Sequence, residues 1–359
     1  DYLSYWKIRG SFASVGTAFE RYIANPLFAW NTSIGQWSNL TDFPVYDLKP
    51  ERTNSFEVGM NMRFLKNFEL DVTYYNAKTM NQTFNPELPV GEYARIYIQT
   101  GAVRNQGLEL ALNYNNTWKD FTWNTGVTYS MNKNKILTLA DNAINPITHE
   151  KFSISSLNMG GLGGSMGDIY SLMDLKRDAN GAVYIDENNS VVTESLEANN
   201  YIKLGSVLPK GNLAWRNNFS WKNINVAFLV SARLGGVVFS RTQAVLDNFG
   251  VSEASAAARD KGYVSVNGND RVNPEGWYSV VAGGTAVPQY YIYSATNIRL
   301  QEASIGYTIP RKWLGNVCDI KVSLIGRNLW MIYNKAPFDP ESVASTDNFY
   351  QGIDYFMMP

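Results

Sequence analysis

The chain has 359 residues, with 31 Lys+Arg against 32 Asp+Glu for a formal net charge of −1, one cysteine (Cys318) and one histidine (His149). This balance supplies no basic face of the kind nucleic acid requires; the single cysteine excludes an intrachain disulfide and a cysteine-pair metal site, and the single histidine removes most histidine-based metal and triad schemes. Charged residues are 18% of the chain, below the roughly 25% of soluble domains, while aromatics reach 14%, which suits a surface touching something less polar than water, although a Tyr-rich soluble β-protein fits the composition too.

No run of 18 or more apolar residues occurs, so no membrane-spanning helix is expected. A closed β-barrel is the other structure able to cross a bilayer. Asp1–Gly10 has the character of an approach to a strand and not of a signal peptide, so the natural N-terminus is expected upstream.

Nine strands are predicted, at about 4–16, 52–65, 68–81, 103–117, 121–135, 211–222, 224–236, 297–309 and 319–333. Their dominant period is two. Phe56, Val58, Met60, Met62 and Phe64 alternate with Glu57, Gly59, Asn61 and Arg63; Phe68, Leu70, Val72 and Tyr74 alternate with Glu69, Asp71, Thr73 and Tyr75; Leu108, Leu110, Leu112 and Tyr114 alternate with Gly107, Glu109, Ala111 and Asn113. Phe121–Tyr129, Leu213–Trp221, Ile224–Ala232, Ala303–Ile309 and Ile320–Leu324 repeat the theme. Such alternation gives each strand one apolar and one polar face. Several strands run about 12–15 residues, where about 9–11 suffice to cross a bilayer; the excess predicts projection beyond the membrane.

Connections alternate between short and long. Lys66–Asn67, Trp118–Asp120 and Lys222–Asn223 are tight links and Pro310–Asp319 a slightly longer one, whereas about 17–51, 82–102, 136–210, 237–296 and 334–359 are long and irregular. Loops this long are uncommon in compact soluble domains, and short periplasmic turns opposite long extracellular loops are the rule in outer-membrane barrels. Trp6, Phe64, Phe68, Trp118, Phe121, Trp123, Trp221 and Trp313 cluster at the short-turn end, as an interfacial aromatic girdle would. The expected fold is therefore all-β: an antiparallel transmembrane β-barrel, present as about nine strands of a larger barrel, with long extracellular loops. Single-chain bacterial barrels use even strand numbers, so a tenth strand is expected after Pro359.

Among the loops, Asp174–Ser190 invites a calcium reading but fails the EF-hand pattern, because with Gly181 as the sixth loop residue the first is Lys176. A solvated loop with an Asn-Gly turn is expected, with a non-EF-hand calcium site left open. Gly160–Gly167 is glycine-rich without spelling a dinucleotide fingerprint, so a flexible loop is expected. Glu253–Lys261 has helix-forming composition. Glu57, Arg63, Glu69, Asp71, Glu109, Arg216 and Arg233 are expected to line the lumen. No nucleophile–base pair stands out, so an enzyme is not expected, and no motif requires a cofactor. The candidate ligand or partner contacts are the loop aromatics Trp30, Trp37, Trp277, Tyr278, Tyr290 and Tyr291, whose rings can stack on sugars or anchor a protein; packing within the loops accounts for them equally well.

Several stretches carry a family resemblance. Leu48–Met80, LKPERTNSFEVGMNMRFLKNFELDVTYYNAKTM, resembles an L-K-P-E-x-T-x-S-x-E-V-G segment followed by a strand pair ending in D-x-T-Y-Y. Gly101–Leu110 (GAVRNQGLEL), the Gly211–Ser240 hairpin with its Gly235–Gly236 corner, Tyr293–Leu314 (YSATNIRLQEASIGYTIPRKWL), Gly326–Leu329 (GRNL) and Phe338–Glu341 (FDPE) follow in order. Together they resemble the SusC/RagA family of TonB-dependent outer-membrane transporters. The resemblance implies that residues 1–359 are the C-terminal part of a TonB-dependent receptor barrel, with the plug domain and terminal strand absent. It further implies a multi-pass protein of the cell outer membrane, in contact with its lipid. The implied activity is energy-dependent uptake of oligosaccharides or peptides, with a SusD-like surface lipoprotein as lid and the TonB complex acting through the plug. The competing readings are a soluble glycan-binding β-module and a structural or adhesive barrel without transport.

Overall fold

The computed structural model describes residues 2–18, 23, 28, 30–37, 42–43, 48–84, 95–138, 149, 164–196, 200–268, 270–284 and 287–341. Nine long strands form one sheet in which each strand neighbours the next in sequence: β1 (Leu3–Thr17), β2 (Glu51–Phe64), β3 (Phe68–Phe84), β4 (Ile98–Trp118), β5 (Phe121–Thr138), β6 (Gly211–Trp221), β7 (Ile224–Leu234), β8 (Asn297–Ile309) and β9 (Ile320–Asn334). The strands are those expected from the period-two pattern, with ends shifted outward by up to five residues or inward by up to two. The span 82–102 is not irregular throughout, because β3 runs on to Phe84 and β4 begins at Ile98, their paired backbones continuing past the apolar alternation.

Antiparallel register sorts the side chains. One face carries the rows Trp6–Met62–Leu70–Leu112–Val127–Trp215 and Ile8–Met60–Val72–Leu110–Tyr129–Leu213. The other carries Arg9–Gly59–Thr73–Glu109–Ser130 and Lys7–Asn61–Asp71–Ala111–Thr128. Leu108, Leu110 and Leu112 are only partly buried and lie outside every buried cluster of the described residues, as residues facing acyl chains must. Near the short turns the rings of Phe64, Phe68, Tyr114, Trp123, Phe219, Phe228 and Trp215 touch in series, centroids 4.8–6.2 Å apart, across β2 to β7. This is the aromatic belt, now continuous because register brings every second strand end to one height.

The chain divides into two compact units. The first, Asp1–Met166, Lys210–Ala232 and Arg299–Trp330, holds most of the sheet. The second, Gly167–Pro209, Arg233–Ile298 and Met331–Pro359, is built from loop sequence and has its own core of Leu175, Val191, Phe239, Ala244, Val266, Val272, Val281, Ala282 and Tyr291. The expectation of irregular segments at 136–210 and 237–296 is corrected here. Asp168–Ser171 pairs with Ile202–Ser206, Met173–Leu175 with Thr193–Ser195, Val237–Phe239 with Ile292–Ser294, and Val264–Val266 with Asp270–Val272. Three helices join them: α1 (Arg241–Asn248), α2 (Glu253–Lys261) and α3 (Pro274–Val281). Loops of this length carry enough apolar side chains to bury one another, and burial forces their backbone groups to pair.

Helix α2 covers the predicted Glu253–Lys261. Ser252 caps it by accepting from Ser255 N, and Gly262 ends it at φ +80°, a left-handed backbone that only glycine adopts without strain. The predicted Asn-Gly turn is present as well: Asp178 Oδ1 accepts from Asn180 N at 2.8 Å and Ala182 N at 3.0 Å. Residues 160–163 of the glycine-rich stretch and the region beyond Glu341 lie outside the described residues.

Candidate functional site

The polar face of the sheet holds a connected network. Arg9 Nη2 donates to Asp71 Oδ1 at 2.8 Å and also reaches Thr73 Oγ1; Arg9 Nη1 and Asn61 Nδ2 close the cluster. Glu57 stands 4.0 Å from the same guanidinium, and Arg63 pairs with Glu69 at 3.4 Å. Arg216 donates to Asn113 Oδ1 at 3.3 Å, and Arg233 to the Val207 carbonyl at 2.7 Å. Arg9, the hub, is not among the lumen residues expected from sequence, whereas its partner Asp71 is. Lys7 and Arg9 alternate with Trp6 and Ile8 as lumen residues should, but only register brings Arg9 to Asp71.

The six loop aromatics fall into two groups. Trp30 and Trp37 face each other across a two-residue strand pair whose turn closes with Gly35 N donating to Asn31 O at 2.9 Å. Their rings meet edge-on at 5.4 Å, and both stay more than half exposed. The other four lie in the second unit. Tyr291 is buried within the core and donates its hydroxyl to Asp247 Oδ2 at 2.9 Å. Trp277 packs on that core and meets Tyr290 edge-on at 5.4 Å.

Tyr278 instead lines a cavity of about 530 Å³ bounded by α1, α2 and α3. Asp247, Phe249, Arg259, Asn273 and Glu275 share its wall. Local sequence builds this wall. Asn273 caps α3 by accepting from Glu275 N at 3.0 Å, with Pro274 in the first turn where its missing N–H costs nothing. Arg259, in the last turn of α2, donates to the Gly250 carbonyl. The cavity thus offers two rings, two carboxylates, a guanidinium and two amides, a set able to hold hydroxyl-rich or peptidic ligands by stacking and hydrogen bonds. Three tyrosines of the second unit hold their protons tightly. Burial raises the Tyr278 hydroxyl above its usual range, and the Asp247 charge adds to this. Burial and the charge of Asp174 raise Tyr290, with Arg177 opposing. Tyr291 is raised furthest, by burial first and then by the charge of Asp247. Asp247, Arg259, Asn273 and Glu275 had no signal in the sequence, since they become neighbours only when three helices fold together. Among the described residues no group of three or more His, Cys, Asp or Glu is placed to hold a metal ion.

A sheet with one lipid-facing and one polar face, belted by rings and carrying structured loops, defines the outer-membrane β-barrel class. The profile described as "TonB dependent receptor-like, beta-barrel" matches residues 2–329, and the chain belongs to that family. Its strands therefore stand in the outer membrane. Among curated relatives, TonB-dependent receptor P3 of Formosa agariphila is 25% identical over 99% of the chain, and TonB-dependent receptor P26 of the same organism is 26% identical over 81%. The chain spans 38% and 31% of their respective lengths. Among solved structures, the RagAB peptide importer superposes with a TM-score of 0.69 in its closed-closed state and 0.65 in its open-open state, at 17% and 18% identity, over 95% and 94% of the chain. The chain covers 39% and 38% of those proteins. The likeness is one of fold, and together with the family match it bears out the resemblance to TonB-dependent transporter barrels read from the motifs.

Proposed function

We propose that this chain supplies barrel wall and extracellular loops to a transporter that takes oligosaccharides or peptides across the outer membrane in a TonB-dependent manner. The observation that carries the reading is the two-faced sheet: an apolar, ring-belted face for lipid backed by a hydrogen-bonded polar face for a lumen. A wall of this kind encloses a path, and residues 1–359 form the C-terminal part of it, with the plug domain and terminal strand lying outside the chain. Family membership supports energy input from the TonB complex through that plug. A SusD-like surface lipoprotein serves as lid. Trp30 and Trp37 are its proposed contacts, because an exposed pair of large rings is the surface feature best suited to anchor a protein. Tyr278 is the proposed substrate contact. Trp277, Tyr290 and Tyr291 hold the shape of the cavity on which Tyr278 stands. Relatives named as receptors support a non-enzymatic role. The test is uptake of labelled oligosaccharide and peptide pools by cells carrying the full transporter with its genomic lipoprotein partner. Uptake is expected to vanish when TonB is deleted; uptake unaffected by that deletion overturns the reading.

A further inference from the structure

Charge on β1–β5 is sorted by face. Register places every acidic residue of these strands, Glu51, Glu57, Glu69, Asp71 and Glu109, on the polar face. Lys7, Arg9 and Arg63 accompany them there, with Arg9 and Arg63 ion-paired to Asp71 and Glu69. The apolar face of the same strands carries Arg52, Lys78, Arg104, Lys133 and Lys135, and no acid.

These five cations are gathered within one row of a single height. Lys78, Arg104 and Lys135 are direct register partners on three successive strands. Lys133 stands beside Gln106 one row nearer the short turns, and Arg52 beside Met80 one row further away. Direct partners in an antiparallel sheet have Cα atoms about 4.5–5.5 Å apart, and like charges so placed repel. No described carboxylate relieves them: none of the five forms a salt bridge with a described residue, and Arg104 Nε is buried without an acceptor. A row that repels itself and carries an unmet buried donor is complementary to an anion from outside the chain.

The height of the row decides which anion. Lys78 lies ten residues along β3 from Phe68, a member of the ring belt. At roughly 3.3 Å per residue and a tilt of about 40°, that is about 25 Å along the membrane normal, the height of the apolar band of an outer-membrane barrel. The belt occupies the interface on the short-turn, periplasmic side. The basic row therefore occupies the opposite interface, in the outer leaflet. Between the two lies an apolar strip for acyl chains, its nearest row being Tyr74, Leu108 and Met131.

We infer that Lys78, Arg104 and Lys135, flanked by Lys133 and Arg52, form a docking site for the phosphorylated headgroup of an outer-leaflet glycolipid. Phosphate oxygens accept from the three cations, and Arg104 supplies the planar fork suited to bidentate contact. The acyl chains run down the strip below. This inference rests on the outer-membrane placement of the chain and not on what the transporter carries, so its failure leaves the transport reading untouched.

The test uses the intact transporter in detergent, with binding of bis-phosphorylated lipid A read by native mass spectrometry. Lys78→Gln/Arg104→Gln/Lys135→Gln is compared with Lys66→Gln/Lys119→Gln/Lys222→Gln, which removes three charges from the turns at the periplasmic end. At about fivefold per charge near a membrane surface, the first variant should bind lipid A about 100-fold more weakly, while the second binds as the unaltered protein does. Lipid A stripped of its phosphates should bind the unaltered protein as weakly as the first variant binds the intact lipid, and excess inorganic phosphate should not displace lipid A. Equal lipid A binding by the two triple variants overturns the inference, as does equal binding of the phosphate-free lipid; displacement by inorganic phosphate overturns the lipid assignment. Should the first variant fail to assemble, Arg104→Gln alone, expected to bind about fivefold more weakly, is read by the same criteria.

Discussion

The Arg9 guanidinium lies directly over Gly59 and meets the Asp71 carboxylate at 2.8 Å, although a whole strand separates the two residues. Arg9 is on β1, Asp71 on β3, and Gly59, the register partner of Arg9, is the residue of β2 between them. A Cβ at position 59 would stand 2.6 Å from Arg9 Cζ. The same device recurs twice. Tyr75 of β3 passes over Gly107 of β4 to donate to Asn132 of β5 at 3.2 Å, and Arg216 of β6 passes over Gly126 of β5 to Asn113 of β4 at 3.3 Å. Glycines on the polar face thus let long side chains stitch strands that are not neighbours.

Substitutions at two of these glycines should differ in cost. At Gly59 the obstructing atom is the far end of a flexible side chain, whereas at Gly107 a Cβ would meet the Met131 carbonyl oxygen, a backbone atom, at 2.3 Å as well as the Tyr75 ring. Gly59→Ala should destabilise the barrel by about 1 kcal/mol, and Gly107→Ala by about 3 kcal/mol or to the point of failed assembly. Heat-modified mobility on gels, measured for the intact transporter, ranks the two; the reverse order would contradict the stitching geometry.

Tyr291→Phe removes the donor that Asp247 meets inside the loop core. A buried carboxylate short of a hydrogen bond costs about 2 kcal/mol. The loss should be local to the second unit, seen as faster hydrogen exchange in α1 and faster proteolysis of the loop, with exchange in β2–β5 unchanged.

The same residue sets an alkaline limit. Burial raises the Tyr291 hydroxyl above the ordinary tyrosine range, so from about pH 10 upward the unfolded chain releases a proton that the folded loop retains. The unfolded state then binds fewer protons, and stability falls as pH rises. Loop protection in the unaltered protein should be flat below about pH 10 and decline above it, whereas Tyr291→Phe should show a shallower decline. Equal slopes for the two proteins would remove Tyr291 as the cause.

Tyr278 and the Trp30–Trp37 pair should separate by function. Tyr278→Ala takes a ring from the cavity wall without entering the core, and should weaken substrate affinity about tenfold, as loss of one stacking contact worth roughly 1.5 kcal/mol does. Trp30→Ala with Trp37→Ala should leave substrate affinity alone and release the lipoprotein partner in pull-downs. A lipoprotein complex undisturbed by the double change would place the lid contact elsewhere.

Strand number, strand positions, the polar and apolar faces, the aromatic end and helix α2 are all legible in the amino-acid sequence, because each is written in neighbours two to four residues apart. The loop interiors are not. Residues 136–210 and 237–296 look irregular in sequence, yet their described parts from Gly167 onward form paired segments and helices around a core, since short strands in loops lack a long alternating run to announce them. The six aromatics stand out in the sequence as rings in long connections, but nothing in their local sequence tells the buried Tyr291 from the cavity-lining Tyr278 of α3.

By itself the sequence determined that β1–β9 are strands and which side of each is greasy, because the peptide backbone alternates its side chains locally whatever it pairs with. Only the tertiary structure decided that Arg9 reaches Asp71, that Lys78, Arg104 and Lys135 stand shoulder to shoulder, and that Asp247, Arg259 and Glu275 share a cavity with Tyr278. Those groupings join residues dozens of positions apart, and a slip of one residue in register would turn each strand's set to the opposite face.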